Sequence, residues 1–363
     1  MKKRILALLL CLAMGLGLAA CTGKGEEAST SPTPDSTPDE TVTPDDGAQD
    51  DPAPAELETV RLAVLSGPTG VGAAKLLADN ESGDTIGNYD VTVATDNSEV
   101  SAKLINGELD IAAVATNVAA NLYNKSDGGI QMLCLSTLGV LYILERGEAG
   151  FTPTVTSLSD LAGETIYAYG QGANPEYVLN YLLRENGLDP ESDVDLVWQT
   201  AEEVQAAMLT GDARFIMLPV PAATAVLIQS KALEDRDVAS VLDLTEEWDK
   251  VTDNGVLTMA TVVVRTEFAQ EHPEEVAAFL EDYQASIEYV NSNVDDASLL
   301  VEQFGIVPKA AIAKLAIPDC NLVYITGEEM RDQIQGYYEV LYAADPASIG
   351  GGIPDDAFYY GIE

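Results

Sequence analysis

The strongest constraint on the fold is a pattern that occurs twice in the chain, 104 residues apart. Glu99-Val100-x-Ala102 runs through a helical stretch to Asn106-Gly107-Glu108 and then to the apolar run Asp110-Ile111-Ala112-Ala113-Val114. Glu203-Val204-x-Ala206 runs in the same way to Thr210-Gly211-Asp212 and then to Arg214-Phe215-Ile216-Met217-Leu218. The same offset lays Arg61–Gly70 over Thr165–Asn174, each a β-rich run, a glycine-containing turn and a helix start. Only five of 21 positions match between Glu99 and Ala119 and the copy, so spacing rather than identity carries the comparison. Two similar α/β lobes, each burying its own sheet, explain such a repeat.

Around the repeat, β-rich runs alternate with helical stretches. The runs are Val60–Leu65, Val91–Thr95, Ile111–Ala115, Gln131–Leu135, Val140–Leu144, Thr165–Tyr169, Val194–Trp198, Phe215–Leu218 and Leu257–Arg265. This order predicts βαβ units and a parallel sheet. Several runs are continuously apolar, as expected where helices cover both sheet faces. Phe268 to Tyr342 reads as almost wholly helical, and Phe279, Leu280, Tyr283, Ile287 and Val290 form a core stripe. The organisation expected is a first part of lobe 1 over 59–137, lobe 2 over 138–261, and a mostly helical return to lobe 1 over 262–363. The chain then crosses between lobes twice, through paired strands that make a hinge.

The first twenty residues are a basic start, Lys2-Lys3-Arg4, an apolar stretch from Ile5, and Leu18-Ala19-Ala20 before Cys21. A span of roughly 20 apolar residues is needed to cross a bilayer, so 1–20 reads as a signal peptide. Residues 21–58 are rich in Ser, Thr, Pro, Asp and Glu, with one lysine against eleven acids. Such a segment buries too little to offset chain entropy and reads as a disordered, self-repelling tether.

The whole chain carries 18 Lys+Arg against 60 Asp+Glu, a net charge of −42, which excludes sequence-independent nucleic-acid binding. Its single histidine, His272, excludes a His-rich metal site, and it sits in a helix start unsuited to nucleophilic catalysis. No cofactor is expected. Gly67-x-x-Gly70-x-Gly72 lacks the Lys of a phosphate loop, since Ala73 stands in its place, and the dinucleotide pattern is missing from that turn. Cys134 lies in an apolar run and reads as a buried thiol rather than half of a disulfide with Cys320.

Ligands of open α/β sheets sit beyond the carboxyl ends of the strands, where helix N-termini present free N–H groups. The repeat supplies four such corners: Ser66–Gly70 and Thr116-Asn117 in lobe 1, Gly170–Asn174 and Pro219–Pro221 in lobe 2. Turning and capping alone also call for Gly, Thr and Asn there. The candidate ligand-binding residues are Pro68, Thr69, Gly70, Thr116, Asn117, Thr137, Gly139, Gly172, Ala173, Asn174, Tyr177 and Pro219. Tyr123, Tyr142, Tyr167, Tyr169, Tyr177 and Trp198 are the aromatic candidates for stacking on a flat ligand. None of the four corners contains Lys or Arg, which favours a neutral or flat heteroaromatic ligand.

Cys21 after Leu-Ala-Ala resembles a bacterial lipobox, in which that cysteine is the acylated first residue. With the tether and the two lobes, the chain resembles solute-binding lipoproteins of ABC transporters, in particular the nitrate/sulfonate/taurine and thiamine-pyrimidine-precursor (SsuA/THI5-like) group. The resemblance rests on Gly67-Pro68-Thr69-Gly70-Val71-Gly72, Asn106–Ile111, Thr137–Tyr142, Leu161–Ile166, Leu218-Pro219-Val220-Pro221 and Val262–Arg265. It implies a type II periplasmic-binding-protein fold that closes on a small molecule and delivers it to a permease and ATPase. The protein would be a monomer held by lipid on Cys21 at the outer face of the cell membrane. Relatives often place Glu or Gln between the two prolines, where this chain has Val220, so that polar contact does not transfer. A sensor or adhesin using the same cleft stays open as an alternative. So does an enzyme on the same scaffold, like the menaquinone-pathway dehydratase, although secretion and the lack of a catalytic histidine or metal cluster count against it.

Overall fold

A computed structural model describes residues 57–362. The signal peptide, Cys21 and nearly all of the tether lie outside the described residues. Residues 57 and 58, expected in the tether, are already fastened to the body: the Leu57 carbonyl accepts from Asn88 Nδ2 at 3.0 Å, and the Glu58 amide donates to Glu275 Oε1 at 3.0 Å.

Eleven strands are described: β1 (Thr59–Leu65), β2 (Asn88–Ala94), β3 (Ile111–Ala115), β4 (Ile130–Leu138), β5 (Leu141–Glu148), β6 (Thr165–Tyr169), β7 (Asp195–Gln199), β8 (Phe215–Pro219), β9 (Arg236–Asp243), β10 (Thr258–Arg265) and β11 (Leu322–Ile325). They form a six-stranded sheet, β11-β4-β10-β3-β1-β2, and a five-stranded sheet, β7-β6-β8-β5-β9. β1 is parallel to β2 and β3, and β6 is parallel to β7 and β8, as βαβ units require. The other pairings are antiparallel, so the sheets are mixed rather than parallel. The reason is the chain path: β10, which returns from the other lobe, runs against β3 and β4, and β5, which enters the second lobe, runs against β8 and β9.

Thr258–Thr261, expected in the second lobe, are the first half of β10 and pair with β3 and β4 of the first sheet. The outgoing connection is strand-like, with Gly139 and Val140 between β4 and β5. The returning one leaves the helix Leu244–Val251 and crosses residues 252–257 before β10 begins.

Strand alternation sends Leu62 and Val64 to one side of the first sheet and Ala63 and Leu65 to the other, all buried. Each side continues across the hinge. Leu62, Val262, Phe279 and Tyr283 belong to one apolar cluster with Ile216, Leu218 and Val226 of the second lobe. Ala63, Val114, Leu135 and Tyr338 share the other with Ile143, Leu179, Phe215 and Trp248. The helix Gly327–Ala344 accounts for much of the second continuity. Its Tyr337 ring lies 5.9 Å from Trp248, and its Gly336 packs so closely on Asn254 of the returning connection that a Cβ there would overlap backbone. The C-terminal helix therefore touches both lobes, and no simple assignment to the first one describes it.

Gly139, at the outgoing crossing, is equally confined: a Cβ would overlap Thr245 Oγ1 and the Leu257 side chain. Gly139→Ala is expected to cost about 1–3 kcal/mol through overpacking, measurable by urea unfolding; an unchanged midpoint would mean the hinge has slack that the packing does not show.

Candidate functional site

The corners form where parallel strands end and helices begin. β3 passes directly into the helix Thr116–Lys125, whose N-cap is Ala115, and β6 reaches the helix Asn174–Glu185 through Gly170–Ala173, with Ala173 as N-cap. Alanine has no side-chain acceptor, so neither helix start is capped by a side chain; in the second helix Pro175 has no N–H and the Glu176 amide already donates to the Ala173 carbonyl at 3.0 Å. Pro at the second position of Asn174–Glu185 and Glu176 in its first turn still favour initiation.

Three sequence-predicted residues share an unusual state. Asn174 is 1% exposed, and neither its Oδ1 nor its Nδ2 has a hydrogen-bond partner among the described residues. Asn117 is buried, with Nδ2 donating to the Ser348 carbonyl at 3.5 Å and Oδ1 unpartnered. Thr137 is buried with an unpartnered Oγ1. Buried polar groups normally find partners, because each one left unpaired costs about 1–3 kcal/mol. Asn117 and Asn174 stand at two of the corners and Thr137 on the outgoing strand; buried polar atoms without a partner among the described residues also occur on Ser136, Asn180, Gln199, Thr245, Arg265, Tyr283 and Tyr337.

Thr116 ties the second corner of lobe 1 to the crossing strands. Its Oγ1 lies 3.4 Å from Thr258 Oγ1, which in turn donates to the Thr137 carbonyl at 3.4 Å. From behind, the buried Tyr338 hydroxyl donates to the Thr116 carbonyl at 2.9 Å and fixes the first helical turn. In the second lobe, half-buried Tyr177 has its phenol pKa raised by burial and by the negative charge of Asp345, which follows the C-terminal helix.

The remaining candidates take lesser places. Pro68 and Thr69 are half-buried at the start of the short helix Pro68–Val71. Gly70 is buried, and a side chain there would run into the Leu65 carbonyl and Ile306, so its smallness is needed for packing. Gly139 likewise packs, and its carbonyl accepts from Asn321 Nδ2 at 2.6 Å. Gly172 is exposed with φ +72, and its amide donates to Glu176 Oε2 at 2.5 Å. Pro219 ends β8 opposite Leu141, and the Val220 amide donates to the Val140 carbonyl at 3.0 Å, which brings the fourth corner to the hinge. Val220 itself is buried and apolar. Of the aromatics, Tyr169 is 40% exposed at the end of β6, whereas Tyr123 packs on Phe358 at 4.9 Å and donates to Asp355, away from any corner.

Sequence reasoning missed Ser136, buried with an unpartnered Oγ, Thr245, whose Oγ1 is also buried and unpartnered, and the supports Thr258, Asn321 and Tyr338. No local pattern marks them; only the return of distant strands and of the C-terminal helix brings them to the hinge.

Residues 152–297 match a family model described as NMT1/THI5 like, a range that covers most of the second lobe and runs through β10 into the first. No curated protein matches the chain. Similar solved structures include an ABC transporter protein of Parabacteroides distasonis, 24% identical over 83% of this chain and 98% of that one, with a TM-score of 0.69. The periplasmic aliphatic sulphonate binding protein SsuA of Escherichia coli is 15% identical over 82% and 92%, with a TM-score of 0.64. The alkanesulfonate-binding SsuA of Xanthomonas axonopodis pv. citri, bound to MOPS, is 12% identical over 83% and 96%, with a TM-score of 0.59. Two mixed sheets joined by a hinge, the corner geometry and these likenesses lead to one conclusion: the chain has the periplasmic-binding-protein fold and, over residues 152–297, the sequence character of the NMT1/THI5-like family.

Proposed function

We propose that this protein is the solute-binding component of an ABC import system, capturing a small, mostly uncharged molecule between its lobes and handing it to a permease and ATPase. In this reading it works as a monomer outside the cytoplasm, held to the membrane by lipid on Cys21. The observation that carries the reading is the set of buried, unpartnered polar atoms on Asn117, Thr137 and Asn174, beside two helix starts without side-chain caps. Asn174 offers a donor and an acceptor, Asn117 an acceptor, and Thr137 a hydroxyl able to do either. A ligand that both donates and accepts satisfies all of them, whereas an anion would face the Asn117 oxygen with nothing to donate. The similar Escherichia coli and Xanthomonas proteins bind sulfonates, and the absence of Lys and Arg from all four corners here argues for a less charged molecule.

A thermal-shift panel of pyrimidines, amino acids, vitamins and sulfonates including MOPS tests the proposal. A ligand present at about 100 times its Kd stabilises the folded state by roughly 2.7 kcal/mol, so a true ligand should raise the melting temperature by several degrees. A panel headed by a neutral heterocycle supports the reading. A response to MOPS alone would overturn the uncharged assignment, and no response to any compound would count against a solute-binding role.

A further inference from the structure

We propose that the end of the second lobe remote from the four corners holds a site for a small, singly charged oxyanion such as a carboxylate, with Arg146 as its principal ligand. The inference starts from a comparison of the two lobes at equivalent strand ends. In the first lobe, Asp110 precedes β3 and its carbonyl accepts from the Arg265 amide at 2.9 Å; in the second, Arg214 precedes β8 and its carbonyl accepts from the Arg146 amide at 2.8 Å. Arg146 therefore stands where Arg265 stands, and Arg214 where Asp110 does. The two glycines 104 residues apart each accept from a guanidinium, but from different strands: Arg61 Nη1 of β1 donates to the Gly107 carbonyl at 2.6 Å, and Arg146 Nη1 of β5 donates to the Gly211 carbonyl at 2.5 Å.

The charge at the centre is reversed. The first lobe supplies its arginines with a carboxylate: Asp110 is 2% exposed, pairs with Arg61 and lies 3.5 Å from Arg265 Nη2. In the second lobe that position is a cation, and Arg214 is itself neutralised by Glu145 and Glu164, each at 3.0 Å. Arg146 is left with a like-charged neighbour, since Arg236 Nη1 also reaches the Gly211 carbonyl, at 3.5 Å. Burial and the Arg236 charge lower the Arg146 pKa, against a smaller opposing effect of Asp212 and Asp235. Both arginines face a cavity of about 340 Å³ that is also bordered by Glu148, Asp212 and Asp235.

Stabilisation of a helix end accounts for part of this arrangement. The carbonyls of Met208 and Leu209, at the end of the helix Ala201–Leu209, accept from Arg146 and Arg236 at 3.2 and 3.4 Å, as a helix C-terminus favours. That role occupies only Nη1 of each guanidinium. Arg236 gives Nε and Nη2 to Asp235, at 3.1 and 2.7 Å, while Nε and Nη2 of Arg146 have no hydrogen-bond partner among the described residues. Those two donors are the fork that binds an oxyanion through parallel hydrogen bonds. Glu148 and Asp212 on the border disfavour a dianion, so a single negative charge fits best.

Acetate titrated against chloride at constant ionic strength, followed through the arginine Nε–Hε resonances, tests this. The expected result is a saturable shift confined to the arginines of this cavity, weakened roughly tenfold or more in Arg146→Gln and unchanged in Arg184→Gln, on the exposed part of another helix. Phosphate as the dianion should bind more weakly than acetate. A drift without saturation, an unchanged midpoint in Arg146→Gln, or phosphate binding as tightly as acetate would overturn the assignment. Should Arg146→Gln fail to fold, Arg236→Gln removes the neighbouring charge and should weaken acetate by a smaller factor; no effect there would equally count against the site.

Discussion

Replacing Asn174 by alanine is expected to stabilise the unliganded protein while weakening ligand capture. Both polar atoms of that amide are buried without partners. Unmet amide groups cost about 1–3 kcal/mol, and their removal gives this back, less the loss from the smaller side chain. A ligand that had filled those bonds would lose about 0.5–1.5 kcal/mol for each, or roughly two- to tenfold in affinity. Combined with Asn117→Ala from the opposing corner, the affinity losses should add, unless one ligand atom bridges both side chains. Thermal unfolding without ligand and calorimetry with a compound from the panel measure the two effects separately. A simple loss of stability in Asn174→Ala, with unchanged affinity, would make the residue a packing element and move the site elsewhere.

The largest effect on folding is expected at Asp110. Its buried carboxylate accepts from the Arg61 amide and Nε, at 2.9 and 2.8 Å, and also from Arg61 Nη2 and Arg265. Removing one member of a buried ion pair costs about 3–5 kcal/mol, and because the Arg61 side chain is 42% exposed and can turn to water, Asp110→Ala should fall near the lower end. Burial alone would raise the Asp110 pKa, but the Arg61 hydrogen bonds outweigh it and hold the value below the ordinary one. A depressed folded pKa gives stability that is fully present above the unfolded value, roughly 3.9, and is lost as pH falls through the folded value. Urea unfolding across the acid range should therefore show the gap between wild type and Asp110→Ala narrowing as pH drops. A gap that is constant with pH would mean the carboxylate's charge contributes nothing.

What could be read from the sequence follows burial. β3 and β6 have the limits read from their β-rich runs: β3 is covered on both faces and needs no polar alternation, whereas β6 buries Ile166 and Ala168 on one face and leaves Thr165, Tyr167 and Tyr169 at least partly exposed on the other. β9, Arg236–Asp243, escaped notice because it is an edge strand carrying charges at both ends and mostly part-exposed residues. β11 is only four residues long and sits inside an otherwise helical region. The antiparallel course of β5 and β10 depends on which lobe the chain has come from, a relation that no local window contains. The four corners were legible because turn and cap chemistry is local. The unpaired state of Asn174 and the support of Thr116 by Tyr338, 222 residues away in sequence, arise only on folding.

The two buried sulfhydryls open a practical route to watching the lobes move. Cys134 and Cys320 are unpaired and buried, and burial pushes the Cys320 thiol up to about 12 and that of Cys134 higher still. Maleimide reagents attack the thiolate, so at neutral pH both native side chains should stay silent in the folded body. Cysteines introduced on facing rims, one in each lobe, would then take a donor and an acceptor dye with neither native thiol removed, and the closure proposed above would be read as a change in energy transfer between them.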